Sequence, residues 1–176
     1  MRSPVRYTYS PPGGYSTGVV RAHVENENGG TSVAGALIFH GPKAWVDVDE
    51  EAGTMISTSQ ARIVDAGVDM SYQRQGIGSE MHRIAQREMG PGITLGHSGS
   101  LSPAGYAFAR STGGDIPKSA QKGPTIEARG DTYPSVVARH ANEDATHPRR
   151  VDGSPAVVTT GTKTTRRQGK QLQLDL

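Results

Sequence analysis

The sequence predicts an α/β (α+β) fold: a mixed, mainly antiparallel sheet with helices packed on it and a disordered C-terminal tail. Three observations carry this reading. Residues 18–68 form short β-branched, alternating runs separated by turn residues. The period then switches to helical, with Met81, Ile84, Ala85 and Met89 on one stripe. The composition divides near Asp115: residues 115–176 hold 17 hydrophobic residues in 62, with 10 basic and 7 acidic side chains. Such a segment buries too little to offset its chain entropy. Three regions are therefore expected: an irregular arm over 1–17, a folded domain over 18–114 and an extended tail over 115–176.

The elements follow in order. The arm is rich in Pro, Gly and Tyr, with room for an edge strand at Val5–Tyr9. Gly18–Glu25 alternates and reads as the first strand of the domain. Asn26-Glu27-Asn28-Gly29-Gly30 is hairpin chemistry, because Asn and Gly accept positive φ. Thr31–Phe39 returns, Gly41-Pro42-Lys43 turns, and Ala44–Val48 is a third strand. A fourth is best placed at Ala61–Val68 within Thr54–Val68. Gly78–Met89 is the helix, stopped by Gly90-Pro91. Ile93–His97 is a short fifth strand, parallel to the fourth because a helix joins them. Ser102 caps a second helix over Ala104–Ser111, with Pro103 at its first position and Gly113-Gly114 ending it. A short helix near Tyr133–Asn142 fits the tail.

Composition excludes several chemistries. Zero cysteines exclude a disulfide scaffold, a thiolate zinc site and a cysteine nucleophile. The six histidines show no close ligand spacing, so no metal is expected. No run reaches the roughly 18 apolar residues of a membrane span, and the first residues lack an apolar signal core. A cytoplasmic protein with no membrane partner is the expectation.

The segment that carries chemistry is VDMSYQRQGIGSEM, Val68–Met81. A strand ends, a polar loop follows, and Gly76-Ile77-Gly78 opens a helix. Glycines let a ligand approach the backbone, and the amides and helix N-terminus favour an anion. Gln73, Arg74 and Gln75 add polar and cationic groups, so a phosphate-bearing ligand suits the loop. A dinucleotide fingerprint fails because Met81 stands where the third glycine is needed. A P-loop fails because Gly169-Lys170 is followed by Gln171. The local alternative is a tight turn into a helix.

Gln73–Gly78 has the spacing Q-x-x-G-x-G and resembles the acetyl-CoA motif of the GNAT superfamily of N-acetyltransferases. The element order around it, over roughly Gly18–Gly114, is similar as well. The resemblance implies acetyl-CoA as co-substrate and a primary amine as acceptor, attacking directly. It implies a V-shaped splay between parallel strands 4 and 5, with the thioester in the gap. By position, the amides of Gln75, Gly76, Ile77, Gly78 and Ser79 would hold the pyrophosphate, with Gln73 and Arg74 at the loop. Val68 and Met70 would lie against the pantetheine. Tyr106, on the second helix, is the candidate thiol acid. The sequence departs from the family in lacking the helix pair between the first two strands. It also has no carboxylate at Gln60-Ala61-Arg62, which leaves Asp65 and His97 as candidate bases. His97 is equally a hydrogen-bonded histidine, and Asp65 a partner for Arg62 or Arg74. Asp47, Asp49, Glu50 and Glu51 form an acidic turn that is either solvated or attractive to a cationic amine.

The chain ends in QLQLDL, Gln171–Leu176, after the basic Arg166, Arg167 and Lys170. The hexapeptide resembles the motif that docks on bacterial sliding clamps. The implied alternatives are a catalytically weak GNAT-like binding module docked through its tail, or a GNAT-like nucleobase-modifying enzyme with weak nucleic-acid contact.

Overall fold

A computed structural model describes residues 4–13, 17–49, 51–127 and 149–150. The tail hexapeptide Gln171–Leu176 and the expected helix at Tyr133–Asn142 lie outside them. The described elements are β1 (Val5–Ser10), β2 (Gly18–Glu25), β3 (Thr31–Asp49), β4 (Thr54–Val68), α1 (Ile77–Glu88), β5 (Leu95–Gly96), α2 (Pro103–Thr112) and β6 (Arg149–Arg150). Short 3-10 turns occupy Met70–Tyr72 and Lys118–Ala120. The fold is α+β: a six-stranded mixed sheet in the order β5-β4-β3-β2-β1-β6, with two helices. No helix among the described residues is long and apolar enough to cross a membrane.

The β2–β3 turn forms as its residues dictate. Asn26 N–H donates to the Gly30 carbonyl (2.8 Å), the Asn26 side-chain oxygen accepts from Gly30 N–H (2.8 Å), and Gly29 has φ 72°. The Gly41-Pro42-Lys43 turn does not form. The expected second and third strands are one, β3, which pairs antiparallel with β4 from Gly35↔Val68 to Asp49↔Thr54. The register shifts between His40 and Lys43 instead. Pro42 has no N–H to give the ladder, and a bulge is where a strand tolerates that. The chain reverses after Asp49, and Gly53 (φ 62°) leads into β4.

Strands 4 and 5 are parallel as expected, but the expected V-shaped arrangement is not matched, because the fifth strand is Leu95–Gly96 rather than Ile93–His97. β5 pairs parallel with β4 only at Ala61↔Leu95 and Arg62↔Gly96. β4 then runs on through residues 63–68 with β3 as its one partner among the described strands.

The helix stripe finds its core. Ile77, Met81, Ile84 and Ala85 pack on Val20, Ala22, Leu37, Phe39, Ala61, Ile63 and Leu95. These alternate strand positions share one sheet face. Gly18 belongs to the same packing: a Cβ there would sit 2.4 Å from the Phe39 ring. The other face buries Val19, Ala36 and Ile38, with Arg21 beside them in the register.

Two expected boundaries move. β1 is paired along its length with β2, so the arm contributes a strand to the sheet. Residues 115–127 pack against the domain rather than leaving it at Gly114. The Asp115 carbonyl accepts from His97 N–H (2.7 Å), its carboxylate accepts from Gln60 Nε2 (3.0 Å), and Pro117 and Ala120 are fully buried. A sparse set of apolar residues suffices here because Ala120 fills one small cluster with Leu101 and Ala109. Composition averaged over the whole tail hides that.

Candidate functional site

The loop between β4 and α1 is built by its own polar groups. Asp69 N–H donates to the Ala34 carbonyl (2.8 Å), and the Asp69 carboxylate accepts from Ser71 N–H (2.8 Å). Gln73 Nε2 donates to the Val68 carbonyl (3.0 Å) and Gln75 Nε2 to the Ser71 carbonyl (3.2 Å). Both glutamine side chains therefore brace the loop. Arg74 is exposed and holds φ 59°, the one non-glycine left-handed residue among those described. That conformation costs a residue with a Cβ roughly 1–2 kcal/mol, and such strain gathers where a loop has been shaped for use.

Gly76 caps α1 at φ 80°, ψ 0°, with no side-chain hydrogen bond on the cap. The first amides of a helix have no intrahelical acceptor. Among the described residues nothing lies within 4 Å of where a Gly76 Cβ would be, so the space beside Gly76 is open. Gly78 serves another purpose: its Cβ would stand 3.3 Å from the Phe108 ring, so glycine lets α2 approach α1. Ile77 is buried in the core, so only its backbone faces the loop. Ser79 is exposed, Met70 is 82 % exposed, and Val68 is half-buried.

No family model matches the chain, and no curated protein matches it either. The reading of the site rests on its geometry.

The three candidate catalytic side chains do not converge. His97 is fully buried. Its Nε2 bonds the Gly113 carbonyl (2.7 Å), and its ring stacks on His82 with centroids 5.6 Å apart. Burial lowers its pKa, against a raising effect from the Gly113 bond and Asp115. Asp65 pairs across the ladder with Ile38, whose side chain belongs to the sheet face away from α1. Directly opposed residues share a face, so Asp65 and His97 lie on opposite sides of the sheet. Tyr106 donates to the Gln121 carbonyl (3.2 Å). It stands two residues from Phe108, the ring that meets His97, and hence about half a turn around α2.

His82 was not singled out by the sequence, yet it holds the most perturbed environment. It is 7 % exposed, and its buried Nε2 has no hydrogen-bond partner among the described residues. Phe108 meets both His82 and His97 edge-on. Burial first, then His97, lowers the His82 pKa to about 4, against a raising hydrogen bond to the Leu95 backbone. The available signal was the row Gly78, His82, Gln86 at i, i+4, i+8, one side of a helix. That side meets α2 and β5: the Gln86 oxygen accepts from Leu95 N–H (2.8 Å) and its amide nitrogen donates to the Ile93 carbonyl. An open groove of about 390 Å³ runs beside it, lined by Ser79, His82, Arg83, Gln86, Ser111 and Thr112.

Proposed function

We propose that the protein is an N-acyltransferase that uses acetyl-CoA and transfers the acetyl group to a primary amine. The observation that carries the reading is the uncapped start of α1. It opens from a left-handed glycine with no described atom near its Cβ position, after the 69–76 loop that follows β4, whose pairing with β5 ends at Arg62. The amides of residues 75–79 supply donors for the pyrophosphate, and Arg74 adds a cation at the loop. Beyond its pairing with β5, which ends at Arg62, the edge of β4 offers backbone groups to the amides of the pantetheine arm. Exposed Val64 and Met70 give that arm apolar contact. The short β5 leaves the gap in which the thioester sits.

The amine nitrogen attacks the thioester carbonyl carbon, the carbon–sulfur bond breaks, and the nitrogen loses its proton as the thiolate gains one. Most of the acceleration comes from holding the two reactants together. Tyr106 serves as the thiol acid in this scheme if its hydroxyl exchanges the Gln121 carbonyl for the sulfur.

The absence of cysteine makes the test clean. The full chain is mixed with acetyl-CoA and a series of primary amines, and free thiol is measured. Any thiol above the protein-free rate comes from the cofactor alone. Amine-dependent thiol release is the expected result; no release with any amine would count against the reading.

A further inference from the structure

The sheet carries an overhang that the loop reading does not use. β3 pairs with β2 as far as Gly18↔Phe39 and then continues to Asp49. β4 begins at Thr54 but pairs with β5 only from Ala61. Residues 43–49 and 54–60 therefore form a two-stranded ribbon with no third strand among the described residues. Such a ribbon is marginal in water by itself. The segment 115–122 runs over it: Asp115 bonds Gln60, the Lys118–Ala120 turn lies against β3, and Lys122 pairs with Glu51. Among the described residues no backbone hydrogen bond links that segment to β3. The outer edge of β3 thus presents backbone groups that no described strand takes up.

Edges are usually blunted by proline, lysine, bulges or brevity. Here Pro42 and the register shift after His40 close one end, and the reversal after Asp49 closes the other. Between them the ladder with β4 is regular over seven residues, Lys43 to Asp49, with no Pro or Gly among them. Trp45, Val46 and Val48 favour strands. The two ends carry opposite charge. Lys43 is exposed and lies 4.3 Å over the Trp45 ring, whose N–H donates to the Gln60 carbonyl (2.9 Å). Asp49 is half-buried and accepts from Ala52 N–H (3.2 Å). A second copy laid antiparallel about a two-fold axis at Val46 sets Lys43 opposite Asp49 twice. A parallel copy in the same register would set like charge against like.

We propose that residues 43–49 of β3 pair antiparallel with the same residues of a second copy, joining two ribbons into one four-stranded sheet. Main-chain hydrogen bonds supply the attraction, and the two Lys43–Asp49 pairs set direction and register. A lone lysine on an edge opposes pairing. A lysine that meets an acid instead admits the matching partner and rejects others. One surface serves both copies, so association closes at two. The proposal does not depend on the acetyl-CoA reading, since it uses no residue of the 69–79 loop.

Sedimentation equilibrium of the full chain over a concentration series at low salt tests it. Trp45, the chain's one tryptophan, gives a fluorescence signal from the same edge. A reversible monomer–dimer equilibrium is expected, with amide protection of residues 43–49 rising with concentration. Lys43→Glu sets acid against acid twice and should weaken association about tenfold, and Asp49→Lys sets cation against cation with the same result. An equal mixture of the two variants should recover association, because both cross-pairs then join opposite charges. If Asp49→Lys does not fold, salt replaces it: screening should strengthen association of Lys43→Glu and weaken that of the natural chain. A natural chain that stays monomeric throughout overturns the proposal. So do variants that associate as the natural chain does, or a mixture no better than its components.

Discussion

The two ends of one helix solve different problems. At its start, α1 faces open space, and the groups that shape the loop are backbone amides, two glycines and two glutamines that bond local carbonyls. Further along, beneath the groove, the same helix is sealed against α2 by His82, His97 and Phe108, packed ring against ring. Side chains that look chemical in the sequence, His97 above all, went to the sealed end. The end that stayed open presents mainly backbone. His82 and His97 are thus packing residues first, while the loop presents mainly its main chain.

The sealed end should break most severely. Ile84 is 1 % exposed in the central cluster, so Ile84→Ala should cost about 2–5 kcal/mol in urea unfolding. A loss below 1 kcal/mol would mean that α1 is not docked as described. Acid should act on the same region. An unfolded histidine titrates near 6.5, and folded His82 near 4. The unfolded chain therefore binds more protons between those values, and stability falls as pH drops from about 6.5 to 4. The His82 contribution to that loss is at most about 3 kcal/mol. His97 and His23, both lowered first by burial, act in the same direction. Chemical unfolding at pH 7, 5.5 and 4.5 would reveal the slope, and His82→Phe should flatten it.

The open end should respond more gently. Gly76→Ala meets no atom but must hold φ 80°, so a loss of about 1 kcal/mol is expected, with the helix start altered in amide exchange. Ser102→Ala removes the cap on α2, whose oxygen accepts from Gly105 N–H at 3.2 Å, and should cost about 1 kcal/mol or less. Arg74→Gly is the smallest effect and the opposite in sign. Relief of a left-handed non-glycine residue should leave stability unchanged or raise it by a few tenths of a kcal/mol, because glycine also loosens the unfolded chain.

Local chemistry was legible in the sequence, and contacts distant in sequence were not. The Asn26–Gly30 turn, the apolar stripe of α1 and the Ser102-Pro103 start of α2 are decided within a few residues, and each forms as read. Gly41-Pro42 misled because a turn and a bulge use the same residues, and only the pairing of β3 with β4 chooses between them. β5 shrank to two residues because its reach depends on β4 and on Gln86, which binds the chain on either side of Thr94. Asp65 was placed on the right strand, but a register shift between Ile38 and Phe39 helps set the face it occupies. The row Gly78, His82, Gln86 marks a helix side but not the surroundings of His82, which come from His97 and Phe108 in chain that follows α1.

Calorimetric titration of acetyl-CoA into the full chain and into Ser79→Glu bears most directly on the central claim, that the open start of α1 is the ligand-binding end. A glutamate in the first turn of a helix supports the helix but opposes a bound pyrophosphate. Saturable heat with the natural chain, lost in Ser79→Glu while the thermal midpoint holds or rises, is the predicted result. No binding by the natural chain, or equal affinity in both, would contradict it.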